Sequence, residues 1–332
     1  MHKRILYILL FVFALFGAQC QDMHFSQFYA SPLYLNPAFT GANVCSRLSI
    51  AYRNQWPGIS TAYSSCLASF DHSFSNNNVG VGIQFASDVA GTGGLKTTMV
   101  NPLFSYEAAL SRKYSLRFGV QPGITMKSIN MNNLTFGDQL ARGGNVSTVE
   151  VPVQSRTFLD FGAGALFYGK GFWLGTSFYH LNRPDESLFW YSNARLPIRC
   201  SVHGGYRYDF NKGEKNDDGR KLFTAAFNYR RQAKFDQLDL GFYFTRNIFN
   251  LGFWYRGIPL LKSYKPGYPN NDAVCIIIGL ETDRVNIGYS YDITVSGLAA
   301  ISRGAHEITL SYQMCKLKPK KKKARLVNCP KF

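Results

Sequence analysis

From residue 46 onward the chain alternates apolar with small or polar residues in one short stretch after another. That period belongs to strands, because successive side chains of a strand point to opposite faces. Val79, Val81, Ile83 and Phe85 alternate with Gly80, Gly82, Gln84 and Ala86; Tyr114, Leu116, Phe118 and Val120 alternate with Ser115, Arg117, Gly119 and Gln121. Later copies are Leu238 to Phe244, Leu251 to Tyr255, Val285 to Tyr291 and Ile308 to Tyr312. Each has about the length of a tilted membrane strand, roughly 9–11 residues. Strands are expected to start near Leu48, Ala62, Val79, Thr97, Tyr114, Phe158, Phe172, Ile198, Leu222, Asp236, Asn250, Ala273, Arg284 and His306, about fourteen in all. An even number suits a closed antiparallel barrel.

The N-terminus excludes the cytoplasm as destination. Met1-His2-Lys3-Arg4 leads into an apolar run from Ile5 to Phe16 and then into small residues, the layout of a secretory signal peptide at 1–20. The run is too short to span a bilayer as a helix, which takes about 20 apolar residues, and no later segment qualifies. Lipidation at Cys20 is the rival reading, against which Gln19 counts. Charged residues make up only 17% of the chain while aromatic residues make up 15%, values suited to a lipid-facing barrel with aromatic belts or to a large secreted β-protein. A propeller would repeat with a fixed period, and none is visible. An all-β, closed outer-membrane barrel spanning 46–313, with both termini in the periplasm, is therefore expected.

Such barrels join strands by short periplasmic turns and longer external loops. The even-numbered connections Asn76–Asn78, Ser111–Lys113, Gly169–Lys170 and Thr282–Asp283 are short, whereas Thr125–Arg156, Leu181–Pro197, Arg256–Asp272 and Thr294–Ala305 are long. Asn211–Arg220 breaks the rule as a long, charged even turn. On strand faces, Leu240 and Phe242 should point outward and Gly241 inward, so that Gly241→Ser should be mild. His203 shares its face with Arg199, Ser201 and Arg207 and should line the lumen.

Residues arranged for chemistry are absent. The six histidines are scattered without zinc spacing, and the cysteines form no C-x-x-C pair. No nucleophile elbow, phosphate loop or complete dinucleotide motif occurs; Gly162-Ala-Gly164 lies mid-strand. A barrel hydrolase would need a serine and a histidine together near the outer rim, for which His180 is the candidate. No cofactor, metal or enzymatic activity is expected. A disproportionate part of the net charge of +17 lies in Lys316, Lys318, Lys320, Lys321, Lys322, Lys323 and Arg325, a basic periplasmic tail at 314–332. An exported protein meets no nucleic acid there, so the tail is either a solvated appendage or a site for an acidic partner or anionic envelope polymer. Cys315 and Cys329 bracket it and are spaced to close a disulfide loop.

Gln21 to Gly41, reading Q-D-M-H-F-S-Q-F-Y-A-S-P-L-Y-L-N-P-A-F-T-G, closely resembles the opening signature of the PorP/SprF family of type IX secretion system membrane proteins. The resemblance continues in Tyr52 to Pro57, Phe172 to Gly175, His180 to Pro184, Leu251 to Arg256, Ile287 to Ser296, Gly304 to Ile308 and Cys329 to Phe332, with Met23 replacing an expected Pro and a long 131–156 loop. It implies an outer-membrane barrel of Bacteroidota that serves the secretion and gliding machinery. Two partners are implied: a large secreted adhesin, exported or retained through its C-terminal signal domain, or the periplasmic ring lipoprotein of the core apparatus. A passive pore or fatty-acid-type transporter is the alternative from another class.

Arg53, Trp56, His180, Arg183, Trp254, Arg256, Tyr291 and Asp292 fall at or beyond the loop-side strand ends, so one rim is expected to carry them as a partner-binding surface rich in interface residue types. Turn chemistry and an interfacial belt holding Trp56, Trp173, Trp190 and Trp254 explain the same residues structurally. The segment 21–45 carries Phe25, Phe28, Tyr29, Tyr34 and Phe39, too much apolar surface to stay in water, while Pro32 and Pro37 exclude a long helix or strand. A plug in the lumen, entered from the periplasm and paired with Arg117, Gln121, Arg199, Ser201 and Arg207, is expected.

Overall fold

The computed structural model describes residues 22–314, apart from 44, 60–62, 75–76, 92, 131–133, 136, 144–153, 190–191, 211–219, 259–262, 266–267 and 297–298. The leader at 1–20, the tail at 315–332 with its Cys315–Cys329 pair, Trp190 and most of the charged even turn lie outside the described residues.

Fourteen strands close into one antiparallel barrel. They are β1 (Arg47–Gln55), β2 (Tyr63–Phe74), β3 (Val79–Ala90), β4 (Leu95–Ala109), β5 (Ser115–Ser128), β6 (Ser155–Tyr168), β7 (Phe172–Tyr179), β8 (Arg199–Asp209), β9 (Lys221–Gln232), β10 (Phe235–Arg246), β11 (Phe249–Gly257), β14 (Asn271–Glu281), β15 (Val285–Thr294) and β16 (Ala305–Gln313). The short β12 (Ser263–Lys265) and β13 (Tyr268–Pro269) pair with each other within the β11–β14 loop. Every expected strand start lies within three residues of an observed one. Each strand pairs with its neighbours in sequence, and β1 pairs with β16 from Arg47↔Gln313 to Gln55↔Ala305. Closure leaves no strand edge unpaired, as backbone groups in hydrocarbon require.

The alternation separates two faces. Ile83, Phe118, Leu240, Phe242, Ile287 and Ile308 are exposed on the outer surface, while Gln84, Arg117, Asn228, Asp239 and Glu307 are buried on the inner one. Gly241 faces inward as expected, but a Cβ there would meet the Trp254 ring at 2.3 Å and the Phe253 carbonyl oxygen at 2.5 Å. Substitution by serine is therefore not mild.

Loop parity is weaker than the sequence suggests. On the long-loop side, 91–94 joins β3 to β4 and Ala233–Lys234 joins β9 to β10, so two connections on that rim are as tight as the turns opposite.

The barrel is filled by its own N-terminal segment. Residues 22–43 include α1 (Pro32–Leu35) and a single 3₁₀ turn (Pro37–Phe39), both started by the prolines, whose fixed φ suits a first helical position. Met23, Phe25, Phe28, Tyr29, Leu33, Leu35 and Phe39 are all buried and Tyr34 half-buried. Inward glycines make room for the segment. A Cβ on Gly119 would lie 2.3 Å from the Pro37 carbonyl carbon, and one on Gly164 would lie 2.0 Å from the Asn36 side-chain oxygen. In Gly162-Ala-Gly164, the two glycines thus make room for the Tyr179 ring and the Asn36 side chain.

Candidate functional site

Five charged side chains from five strands converge on Ser26 and Gln27, and all project from the long-loop half of the lumen. Arg53 of β1 approaches Asp292 of β15 at 2.8 Å and Glu307 of β16 at 3.2 Å. Arg256 of β11 approaches Asp239 of β10 at 3.0 Å and Asp292 at 3.2 Å. Both guanidinium groups donate to the Ser26 hydroxyl, from Arg53 at 2.6 Å and from Arg256 at 2.8 Å, and that hydroxyl donates to Asp292 at 2.5 Å. The Glu307 carboxylate accepts the backbone N–H groups of Ser26 at 2.7 Å and Gln27 at 2.9 Å. Gln27 also donates to Ser290 at 3.2 Å and accepts from Thr309 at 2.8 Å. A segment without regular structure cannot satisfy its own backbone, so buried carboxylates do it.

Above this cluster, at the long-loop mouth, Asp22 is held by residues at three strand ends. Its carboxylate lies 2.8 Å from His180, which directly follows β7, and 2.8 Å from Arg199, the first residue of β8; its N–H donates to Gln232, the last of β9, at 3.4 Å. The other ring nitrogen of His180 lies 2.8 Å from Asp160. Burial lowers the pKa of the imidazole, but the Asp22 charge and the bonds to Asp160 and Asp22 outweigh it and raise it to about 9. Burial pushes the Asp22 carboxyl upward, and His180 and Arg199 overcome it, leaving Asp22 well below the usual carboxylate range. Both ring nitrogens of His180 face carboxylates, so neither serves a serine as a hydrolase would require.

Below the cluster the contacts turn aromatic. Phe28 meets Trp254 edge-on at 4.8 Å, and Tyr29 meets Trp173 at 5.5 Å while its hydroxyl donates to the carbonyls of Gly204 at 3.1 Å and Phe227 at 3.2 Å. Asn36 donates to the carbonyls of Ala165 and Thr176, both at 3.0 Å, and Phe39 packs on His203, which lines the lumen as expected. At the short-turn end, Gly41 N–H donates to Asp71 at 2.8 Å, and Asp71 pairs with Arg47 at 3.0 Å. Cys45 there is disulfide-bonded.

The expected partner-binding rim divides. Trp56, Arg183 and Tyr291 lie at the loop-side surface, half-buried or exposed, with Trp56 and Arg183 in left-handed turn conformations. Arg53, His180, Trp254, Arg256 and Asp292 are buried and directed at the N-terminal segment, so they do not form a surface. Trp173 and Trp254 likewise leave the expected interfacial belt for the lumen. Of the inward residues expected to pair with the segment, Arg199 and Ser201 line its surroundings, but Arg117 is held by Glu107 at 3.3 Å. Glu307, Asp239, Asp71 and Ser26 were not singled out in the sequence. Their inward parity was visible; what faced them was not. Among the described residues, no group of three or more His, Cys, Asp or Glu is placed to hold a metal.

Among solved structures, the chain is similar to the TodX monoaromatic hydrocarbon channel deltaS2 mutant, with TM-score 0.47 and 10% identity over 85% of this chain and 93% of that one. The CymD monoaromatic hydrocarbon channel gives TM-score 0.45 and 9% identity over 86% and 92%. Omp33 of Acinetobacter baumannii gives 0.42 and 6% over 81% and 99%. Among curated proteins, no sequence match is found. Residues 18–312 match the family described as type IX secretion system membrane protein PorP/SprF, so the chain belongs to this family of outer-membrane β-barrels, which serve secretion and gliding as docking and transport proteins and not as enzymes.

Proposed function

We propose that this barrel is a docking platform for a secreted adhesin, exported or retained on the cell through its C-terminal signal domain, and that residues 21–45 act as a permanent plug. The observation that carries this reading is the filled lumen. A passive pore needs a continuous aqueous path, whereas here Phe28, Tyr29, Trp173, Tyr243 and Trp254 occupy the middle of the barrel. With conduction closed, the surfaces left for function are the two rims.

The long-loop rim, with Trp56, Arg183 and Tyr291, is the face we assign to the adhesin, since Trp, Tyr and Arg dominate interface energetics. The opposite rim supports a second role. Arg112, Lys113, Lys170, Arg246 and Arg284 are all exposed there, with Asp283 beside the last, so that the turns of this rim carry positive charge of the same sign as the basic tail after β16. A periplasmic ring lipoprotein with an acidic surface, or the anionic headgroups of membrane lipid, fits that charge.

Co-purification from the native outer membrane tests the assignment. Recovery of a large adhesin, lost on replacing Trp56 and Arg183 together by Ala, supports the docking role. Recovery of the ring lipoprotein alone, insensitive to those changes and weakened by salt, makes the barrel a core anchor instead.

A further inference from the structure

The N-terminal segment does not enter and leave the lumen by the same mouth. Its first described residue, Asp22, is bound by His180, Arg199 and Gln232, which stand at the strand ends that open into the 180–198 and 233–234 connections. Ser26 and Gln27 follow, bound to Glu307 two residues inside the same rim. Asn36 lies at mid-barrel between the carbonyls of Ala165 and Thr176. Thr40 accepts from Ser105 at 2.6 Å, and Gly41 donates to Asp71, both near the short-turn ends of β4 and β2. The chain then turns into β1 beside Met314, whose N–H donates to Ser46 at 3.0 Å. The segment therefore crosses the whole barrel in one direction, from long-loop mouth to short-turn mouth.

We infer that the N-terminal end of the processed chain is displayed at the cell-surface mouth, where the Asp22–His180–Arg199–Asp160 cluster holds it, and that it forms part of the surface offered to an extracellular partner. This replaces the expectation of two periplasmic termini for the N-terminal end, and it rests on the reading that the long loops face outward.

Membrane-impermeant maleimide on intact cells tests the inference. One variant carries Gln21→Cys, immediately before Asp22; a second carries a cysteine in the long 129–154 loop as a marker of sidedness; the natural chain gives the background. Both variants should label well above background, and Gln21→Cys should keep the heat-modifiable mobility of a folded barrel. Labelling of the loop cysteine without Gln21→Cys places the two on opposite sides and overturns the inference while sparing the sidedness. Labelling of neither, with both labelled after permeabilisation, overturns the sidedness and the inference together. If Gln21→Cys does not fold, an affinity tag inserted at the same point and probed with antibody on intact cells gives the same three outcomes.

Discussion

Arg53 and Asp292 stand 239 residues apart in the chain and meet at 2.8 Å inside the barrel, with the Ser26 hydroxyl accepting from one and donating to the other. The pairing ties β1 to β15 through the N-terminal segment. Arg53→Met should strand Glu307 as an uncompensated buried carboxylate and leave Asp292 with Arg256 alone, and breaking such a pair costs about 3–5 kcal/mol. The urea midpoint of the folded barrel in lipid measures it. Ser26→Ala should cost less, roughly 1–3 kcal/mol, because the charges keep each other. An unchanged midpoint in Arg53→Met would show that the cluster contributes nothing to stability.

Leu240 and Phe242 point into lipid, where an arginine at mid-bilayer costs roughly 2–4 kcal/mol. Leu240→Arg should lower the folding yield into liposomes. Gly241→Ser should lower it too, by an unrelated route: its side chain is driven against Trp254, and such overpacking typically costs about 1–3 kcal/mol. Increasing bilayer thickness should aggravate the first defect and leave the second unchanged.

Deleting residues 23–42 removes the apolar filling and leaves Arg53, Arg256, Asp292 and Glu307 facing an open lumen. In planar bilayers the deletion should produce single-channel currents that the full chain lacks, provided the strand ladder still forms by circular dichroism. Strong conductance by the intact protein would refute the plug.

His180 gives the loop-side mouth a pH dependence of defined sign. Its folded value of about 9 lies above the ordinary 6.5, so its contribution is complete below pH 6.5 and is lost as pH rises through 9. Asp22 is shifted the other way, so its contribution is present above its ordinary 3.8 and is lost only in stronger acid. Hydrogen exchange at His24 and Phe25 should therefore be slowest between about pH 4 and 6.5, after correction for the intrinsic rate, and faster by pH 10. His180→Gln should abolish the alkaline change; a profile unchanged by that substitution would locate the titration elsewhere.

Much of the scaffold was legible because it depends on local period. Ile83, Phe118 and Ile308 announce a lipid face by recurring every second residue, and the strand starts followed within three residues. The segment around Phe25 and Phe39 was legible as buried, since apolar surface without a helix or strand must find a covering. The functional assignment of motif residues was not. Arg53, Arg256 and Asp292 lie near strand ends, which reads as a rim, yet alternation also directs them inward, and the lumen rather than the solvent receives them. Trp173 and Trp254 misled in the same way, because a tryptophan suits a membrane interface and a packed aromatic interior equally.

Sequence alone determined a barrel of about fourteen strands, the faces of those strands and the family, because each rests on residues near one another or on motifs matched in order; the closed ring fixed the count at fourteen. Tertiary structure alone decided what the inward face touches. Ser26 finds Arg53, Arg256 and Asp292 only after the ring has closed β1 on β16, and Asp22 reaches His180 only because the segment runs the full length of the lumen. The direction of threading is set by which carboxylates and arginines satisfy which backbone groups across the closed barrel, a balance of buried hydrogen bonds and charges between distant strands that no local pattern encodes.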